Sequence, residues 1–377
     1  VMQRPGETNH FLLAGRLFQE YVCVNFAKGQ QQLFNYLEMN QDKLRSEVYK
    51  NVADHISRND VEKKDLGKQI ILPASHIGSP RYMHARYQDA MAVVRKYGKP
   101  DLFITITCNP NWKEIKEELL PGQKAEDRPD ITSRVFKLKL QDIEQEIIKN
   151  GIFGKRAANM RVIEFQKRGL PHAHMLIILV AEDKFKTAEE VDRVVRAEIP
   201  DPPQPLPEDA TDAQIKQHEQ ATRLRQLVVS HMIHGPCGKK NPKARCMYDA
   251  DGILTDICHK SFPKNYRTET AWDDASSYAT YRRRTPQDGG GEAKKDRYVL
   301  DSSWVVPYNP YLLLRYNCHI NVEICVSAKA TKYLYKYIHK GGDRAMVRVD
   351  DDGKEQPVNK IRAVSYTHLT LPTNREV

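Results

Sequence analysis

Three stretches of the chain sort their side chains onto two faces with a period of two. From Leu102 to Thr107, side chains Phe103, Thr105 and Thr107 face one way and Leu102, Ile104 and Ile106 the other. Its β-branched and aromatic content predicts a strand, ended by Asn109-Pro110. From Pro171 to Leu179, His172, His174, Leu176 and Ile178 share one face, while Ala173, Met175, Ile177 and Leu179 fill the other. A strand apolar on both sides belongs in the middle of a sheet. Arg161–Gln166 precedes it, and Lys167-Arg168-Gly169 supplies the turn of a predicted β-hairpin. The third stretch, His319–Val326, sets Ile320, Val322, Ile324 and Val326 against His319, Asn321, Glu323 and Cys325.

A period near 3.6 replaces this pattern elsewhere. Residues 9–66 read as helical, with Leu17, Phe18, Tyr21, Val24 and Phe26 among a set expected to pack beside the rest of the chain. Arg81–Tyr97, Thr132–Lys149, Lys186–Ala197 and Asp212–His231 are further predicted helices. In the second of these Val135, Leu138, Ile143, Ile147 and Ile148 are expected to be buried. Ser327–Lys340 forms the last, with a good N-cap and the stop Gly341-Gly342. The expected division is a helical N-terminal region 1–66, a core 67–182 with the histidine hairpin, a linker and Cys/His-containing insert 183–300, a last core piece 301–345 and a tail 346–377.

The chain has 377 residues, 40% hydrophobic and 29% charged, with a formal net charge of +10. The excess of positive charge favours a polyanionic partner. No apolar run approaches the ~18 residues that cross a bilayer. Seven cysteines in a long chain do not read as a secreted disulfide framework. There is no Gly-x4-Gly-Lys-Ser/Thr to cradle a nucleoside triphosphate. Val1 suggests a fragment, and the last residues, AVSYTHLTLPTNREV, resemble translated cloning or adaptor DNA.

Three constellations carry candidate chemistry. On the hairpin, His172 and His174 point to one face at a spacing that suits one shared cation. Glu164 lies across the hairpin and offers a hard carboxylate as third ligand. Gln166 has the same strand parity and is the close alternative, with Glu323 a remoter one. On the last helix, Lys329, Tyr333, Lys336, Tyr337 and Lys340 share a face, while Thr331, Leu334, Tyr335 and Ile338 share the opposite one. In the insert, His234, Cys237, Cys246 and Cys258 form a candidate structural zinc site, although their spacing matches no standard finger; free thiols are the alternative. The arginine run Arg282, Arg283, Arg284 sits among glycines and prolines and is expected to be exposed, either solvated or on phosphates.

The stretch EFQKRGLPHAHMLIIL resembles the metal-binding motif of HUH single-strand nucleases, in the form found in Helitron rolling-circle transposases. ILPASHIGSPRYM, DLFITITCNPNW, DRPDITSRVFKLK and KYLYKYIHKGG also look like that family, in the expected order, so the likeness runs from about Leu17 to about Gly342. The resemblance implies an α+β fold with an HUH-type central antiparallel sheet flanked by helices, the strand at 102–107 beside the histidine strand, and Thr105, Thr107 and Asn109 as lining candidates. It implies two catalytic tyrosines, Tyr333 and Tyr337, forming 5′-phosphotyrosine links with single-stranded DNA. It also implies a nuclear location and a helicase as the usual continuation of the chain.

With that chemistry, Mg²⁺ or Mn²⁺ on His172, His174 and Glu164 would act as Lewis acid and template, and imidazole ligands favour Mn²⁺. Lys329, Lys336, Lys340 and the arginines would hold the strand through its phosphates. Two other readings use the same residues: a metal-dependent hydrolase with structural tyrosines, and a non-catalytic nucleic-acid-binding remnant of a transposon.

Overall fold

The stretch predicted from the 102–107 alternation sits at the centre of the sheet. The computed structural model describes residues 8–10, 14–44, 72–77, 79–166, 169–249, 253–271, 278–295, 297–326, 348–351 and 354–357. In chain order the helices are α1 (Arg16–Met39), α2 (Pro80–Tyr97), α3 (Lys113–Lys116), α4 (Pro129–Ile148), α5 (Ala188–Val194), α6 (Asp212–His231) and α7 (Pro310–Tyr316). The strands are β1 (Leu102–Thr107), β2 (Arg156–Phe165), β3 (Pro171–Leu179), β4 (Glu292–Lys295), β5 (Tyr298–Asp301), β6 (Ile320–Ile324), β7 (Arg348–Asp351) and β8 (Lys354–Pro357). The fold is α+β. Its main sheet has four strands in the order β2-β3-β1-β6, and every pairing in it is antiparallel.

The two faces of this sheet are covered differently. One face packs on α4: Leu102, Ile104, Ile106, Ala173, Met175, Ile177, Leu179, Ile320 and Val322 join Phe136, Leu140, Ile143 and Ile147 in one apolar cluster. Leu102, Ile104, Ile106 and Ile177 are wholly buried, and each such side chain contributes roughly 1.5–3 kcal/mol. On the other face Phe103, Leu176 and Cys325 pack with Ala90 and Tyr87 of α2. The Ser79 hydroxyl caps α2 by accepting from the Tyr82 N–H at 3.0 Å, and Pro80 fits the first turn. A further apolar cluster joins Leu224, Leu227 and Val228 of α6 to Cys237, Met247, Cys258, Trp304 and Tyr308.

Three sequence expectations need correction here. In α4 the buried line is Phe136, Leu140, Ile143 and Ile147, and Leu138 is 66% exposed because it lies about 200° round the helix from Phe136. In α1 only Phe18 and Leu37 are buried among the apolar residues, while Leu17, Tyr21, Val24 and Phe26 face outward. The helix is there, but the packing expected of its apolar set is not. In the arginine run, Arg283 is buried. Its guanidinium donates to the carbonyls of Ala197, Ser302 and Val305 at 3.1, 2.6 and 2.7 Å, so it crosslinks loops and does not face solvent.

Candidate functional site

The hairpin β2–β3 brings the first constellation together. Its tip is closed by Gly169, whose φ of 79° favours glycine and whose N–H donates to the Gln166 carbonyl at 2.7 Å. Lys167 and Arg168 lie outside the described residues. The register opposes Glu164 to His172 and Val162 to His174. On the other side of β3, His172 opposes Thr107 and His174 opposes Thr105. Across β1, Thr105 opposes Asn321, and the Thr107 N–H donates to the His319 carbonyl at 3.0 Å. Residues opposite one another in a sheet share a face. The sheet therefore presents a polar row Glu164–His172–Thr107–His319, a second row Val162–His174–Thr105–Asn321, and then Met160, Leu176 and Phe103 beside Glu323.

Within these rows the contacts are close. Glu164 Oε2 lies 3.3 Å from His174 Nε2. The rings of His172 and His174 meet edge to face at 4.5 Å between centroids, and His174 stacks on Phe103 at 5.7 Å. His172 Nδ1 is 2.8 Å from the Thr107 hydroxyl. Burial, then the neighbouring His174, His319 and Lys260, holds His172 well below the usual imidazole range. Burial likewise brings His319 down to about 4. Both rings are neutral near pH 7, the form in which imidazole binds a metal. Gln166 is buried and its Oε1 makes no hydrogen bond. Glu323 accepts from the Tyr281 hydroxyl at 2.9 Å, and burial raises its pKa to about 7.

Asn109, a lining candidate, has a structural contact, and it shares its partner residue with His231. Asn109 donates through its side chain to the Asn317 carbonyl at 2.7 Å, which ties the end of β1 to the start of β6. His231, the last residue of α6, reaches the side chain of the same Asn317 at 2.9 Å. The Cys/His segment thus leaves α6 next to the polar row.

The insert carries the tightest cluster. His234, Cys237, Cys246 and Cys258 have ligand atoms all within 4.8 Å of one another, the only group of three or more His, Cys, Asp and Glu to do so among the described residues. Glu164, His172 and His174 are neighbours but do not meet that spacing as a trio. Cys258 Sγ lies 3.5 Å from His234 Nε2, and the His234 ring stacks on Phe262 at 4.3 Å. The Lys260 N–H donates to Cys258 Sγ at 3.4 Å. Burial raises the Cys237 and Cys246 thiols. In Cys258 burial is outweighed by the backbone N–H groups of Phe262 and Lys260 and by the other two thiols, so its thiol is lowered. Burial, with Lys260, Lys264 and Lys295, brings His234 down to about 4. A neutral imidazole with three sulfurs around one point is a group that could hold a metal ion.

The remaining candidates divide. Arg284 grips Glu198 with Nε and Nη2, both at 2.9 Å, and Arg282 lies 3.3 Å from the same carboxylate. They border a cavity of about 640 Å³ lined by Arg193, Arg196, Glu189, Asp192 and Asp201 among others. Its four arginines face four carboxylates, and none of its residues belongs to the histidine face. Size alone therefore does not make it the reactive site. Tyr333, Tyr337, Lys329, Lys336 and Lys340 lie outside the described residues. Sequence reasoning gave no role to His319 or Lys260. The signal for His319 was its place on the polar face of a strand, which only the sheet order turns into a neighbour of His172.

Residues 1–177 match the family described as the Helitron helicase-like domain at N-terminus. The matched span includes β1, β2 and the histidines of β3, and ends before the Cys/His segment and β6. No curated protein matches the chain. Among the described residues, no helix is long and apolar enough to cross a membrane.

Proposed function

We propose, from a chain whose residues 1–177 are a Helitron-related N-terminal region, that it is the nuclease part of a transposase of that kind. Its transposon-related function is to nick and rejoin single-stranded DNA on an HUH-type sheet. The observation that carries this reading is the polar row at the end of the sheet, where Glu164 stands 3.3 Å from His174 with His172 beside them.

His172, His174 and Glu164 would hold a divalent ion, Mg²⁺ or Mn²⁺, with Gln166 the alternative oxygen donor. The donor set suits it: two imidazoles, a carboxylate nearby, and a buried amide oxygen with no hydrogen bond. When bound, the ion supplies Lewis-acid stabilisation of the phosphoryl oxygens. The Thr107 hydroxyl orients the His172 ring through Nδ1. Tyr333 or Tyr337 supplies the nucleophile. Its phenolic oxygen loses a proton and bonds to phosphorus, the bond from phosphorus to the 3′-oxygen breaks, and that oxygen takes up a proton. The products are a 5′-phosphotyrosine link and a free 3′-hydroxyl, and the reverse reaction rejoins a strand without ATP. Lys329, Lys336 and Lys340 would lower the phenol pKa and hold the strand.

For the Cys/His group we propose zinc, since three thiolates and one imidazole suit tetrahedral Zn²⁺ and not Mg²⁺ or Mn²⁺. A helicase is the expected partner, and the nucleus the expected location. The test is incubation with labelled single-stranded DNA and Mn²⁺, followed by denaturing electrophoresis. The wild type should give cleaved DNA and a detergent-stable adduct. His172→Ala with His174→Ala should give neither. Cleavage without an adduct would favour the hydrolase reading.

A further inference from the structure

Two extended segments wall the arginine-lined cavity, and buried Arg283 sets how they face. Arg267 and Arg283 form an antiparallel bridge, with N–H to carbonyl bonds at 2.9 and 2.8 Å. Side chains alternate along such a segment, so Arg282 and Arg284 turn away from Arg283 and border the cavity. Arg283 also donates to the Ala197 carbonyl at 3.1 Å, which fastens the opposite wall. On that wall Arg196 and Tyr308 exchange two backbone hydrogen bonds, both at 2.8 Å, and the Tyr308 hydroxyl donates to the Glu198 carbonyl at 3.0 Å. Arg196 and Glu198, two residues apart, both line the cavity.

The charges of this cavity are not equally engaged. Glu198 accepts from the Arg284 N–H at 2.8 Å and from Arg284 Nε and Nη2 at 2.9 Å, with Arg282 Nη2 at 3.3 Å. Asp192 accepts from the Thr270 hydroxyl, whose oxygen accepts from the Arg282 N–H at 2.9 Å. Glu189 stands in the first turn of α5, where a carboxylate is favoured by the helix N–H groups. The arginines are left with donors to spare. Arg196 is exposed, and its guanidinium makes no hydrogen bond or ion pair with any described residue. Arg193 is exposed too and uses only Nε, on the Glu189 carbonyl at 3.3 Å. Arg282 Nε is buried without a hydrogen-bond partner.

We propose that this cavity is a phosphate-binding site, in which Arg193 and Arg196 take the anion and Arg282–Glu198–Arg284 is the fixed wall beside it. A guanidinium fork matches two oxygens of a phosphate. A backbone pinned by Tyr308 and Arg283 presents Arg196 without the ordering cost of a free loop. From the sequence the run 282–284 is the phosphate contact; in the fold Arg283 is internal and the other two hold Glu198, so the role passes to arginines outside the run. At about 640 Å³ the cavity has room for a phosphate ion or for a nucleotide of a strand. The site lies off the histidine face and stands apart from the cleavage reading.

The test uses the full chain with two probes, a short fluorescent oligothymidylate without added Mg²⁺ or Mn²⁺, and inorganic phosphate in a calorimetric titration. Arg193→Gln with Arg196→Gln changes two exposed side chains and should unfold in urea with the wild type. If a strand supplies the phosphate, this double variant should bind oligothymidylate about tenfold more weakly at low salt. Its log–log salt slope should be flatter by about 0.7 for the one phosphate lost. If the free ion supplies it, the wild type should bind inorganic phosphate, the double variant should not, and oligothymidylate should bind both alike. Arg193→Lys with Arg196→Lys keeps both charges and should keep the wild-type slope. Equal affinity and slope for oligothymidylate in wild type and glutamine variant, with no difference in phosphate binding, would overturn the site. So would a lysine variant as weak and as flat in slope as the glutamine one, since the loss would then be one of packing.

Discussion

Thr107→Val removes one hydroxyl and keeps the shape of the side chain. In the structure that hydroxyl is 2.8 Å from His172 Nδ1. The imidazole is strongly desolvated, and this is the hydrogen bond that fixes its ring. Two costs follow. Leaving a half-buried ring nitrogen without its partner should reduce folding stability by about 1 kcal/mol. Losing the group that orients His172, the proposed metal ligand, should weaken metal affinity about 10–100-fold, or about 1.4–2.7 kcal/mol. The assay is a calorimetric Mn²⁺ titration of wild type, Thr107→Val and Thr107→Ser, alongside urea unfolding of each. Thr107→Ser retains an oxygen and should recover most of the affinity. A Thr107→Val titration that overlays the wild type, with the fold intact, would refute the claim that His172 is a ligand oriented from β1.

Other outcomes follow from neighbouring contacts. Glu164→Ala should raise the Mn²⁺ concentration needed for cleavage far more than Gln166→Ala, and the reverse order would transfer the role to Gln166. Glu323 should set a pH dependence of stability. A carboxyl raised in the fold to about 7 favours folding below its unfolded value near 4.5, and that contribution is lost as pH rises to 7. Between pH 4.5 and 8 the stability of Glu323→Gln relative to wild type should therefore rise by up to about 3 kcal/mol; a difference that does not change with pH would contradict this. Arg283→Met should lose about 3–5 kcal/mol in urea unfolding, because three buried carbonyls lose their donor, while Arg282→Gln should change little.

Local patterns were legible and long-range neighbours were not. The bounds of β1 follow from alternation in Leu102–Thr107, and those of α6 from the helical reading of Asp212–His231. His172, His174 and Glu164 could be brought together from the hairpin alone, since parity and a short turn decide their face. The four members of the Cys/His group converge although their spacing matches no standard finger, because the loops between them are held by contacts such as His259 N–H on the Cys246 carbonyl. His319 and Thr107 share a row with His172 only because β6 pairs with β1 across most of the chain, which no local pattern states. Arg283 looked like a surface charge among glycines and prolines; three carbonyls from distant loops made it an internal crosslink. Leu138 was misplaced by assigning the wrong helical phase to an otherwise correct α4.

The central claim is that a tyrosine of this chain becomes covalently joined to DNA. Mass-spectrometric mapping of the peptide that carries the adduct tests it most directly, after reaction with single-stranded DNA and Mn²⁺. The account predicts DNA on Tyr333 or Tyr337, no adduct when both are phenylalanine, and an unaffected adduct in Tyr335→Phe. DNA on Tyr335 or on a residue outside 327–340, or cleavage with no adduct at all, would contradict it.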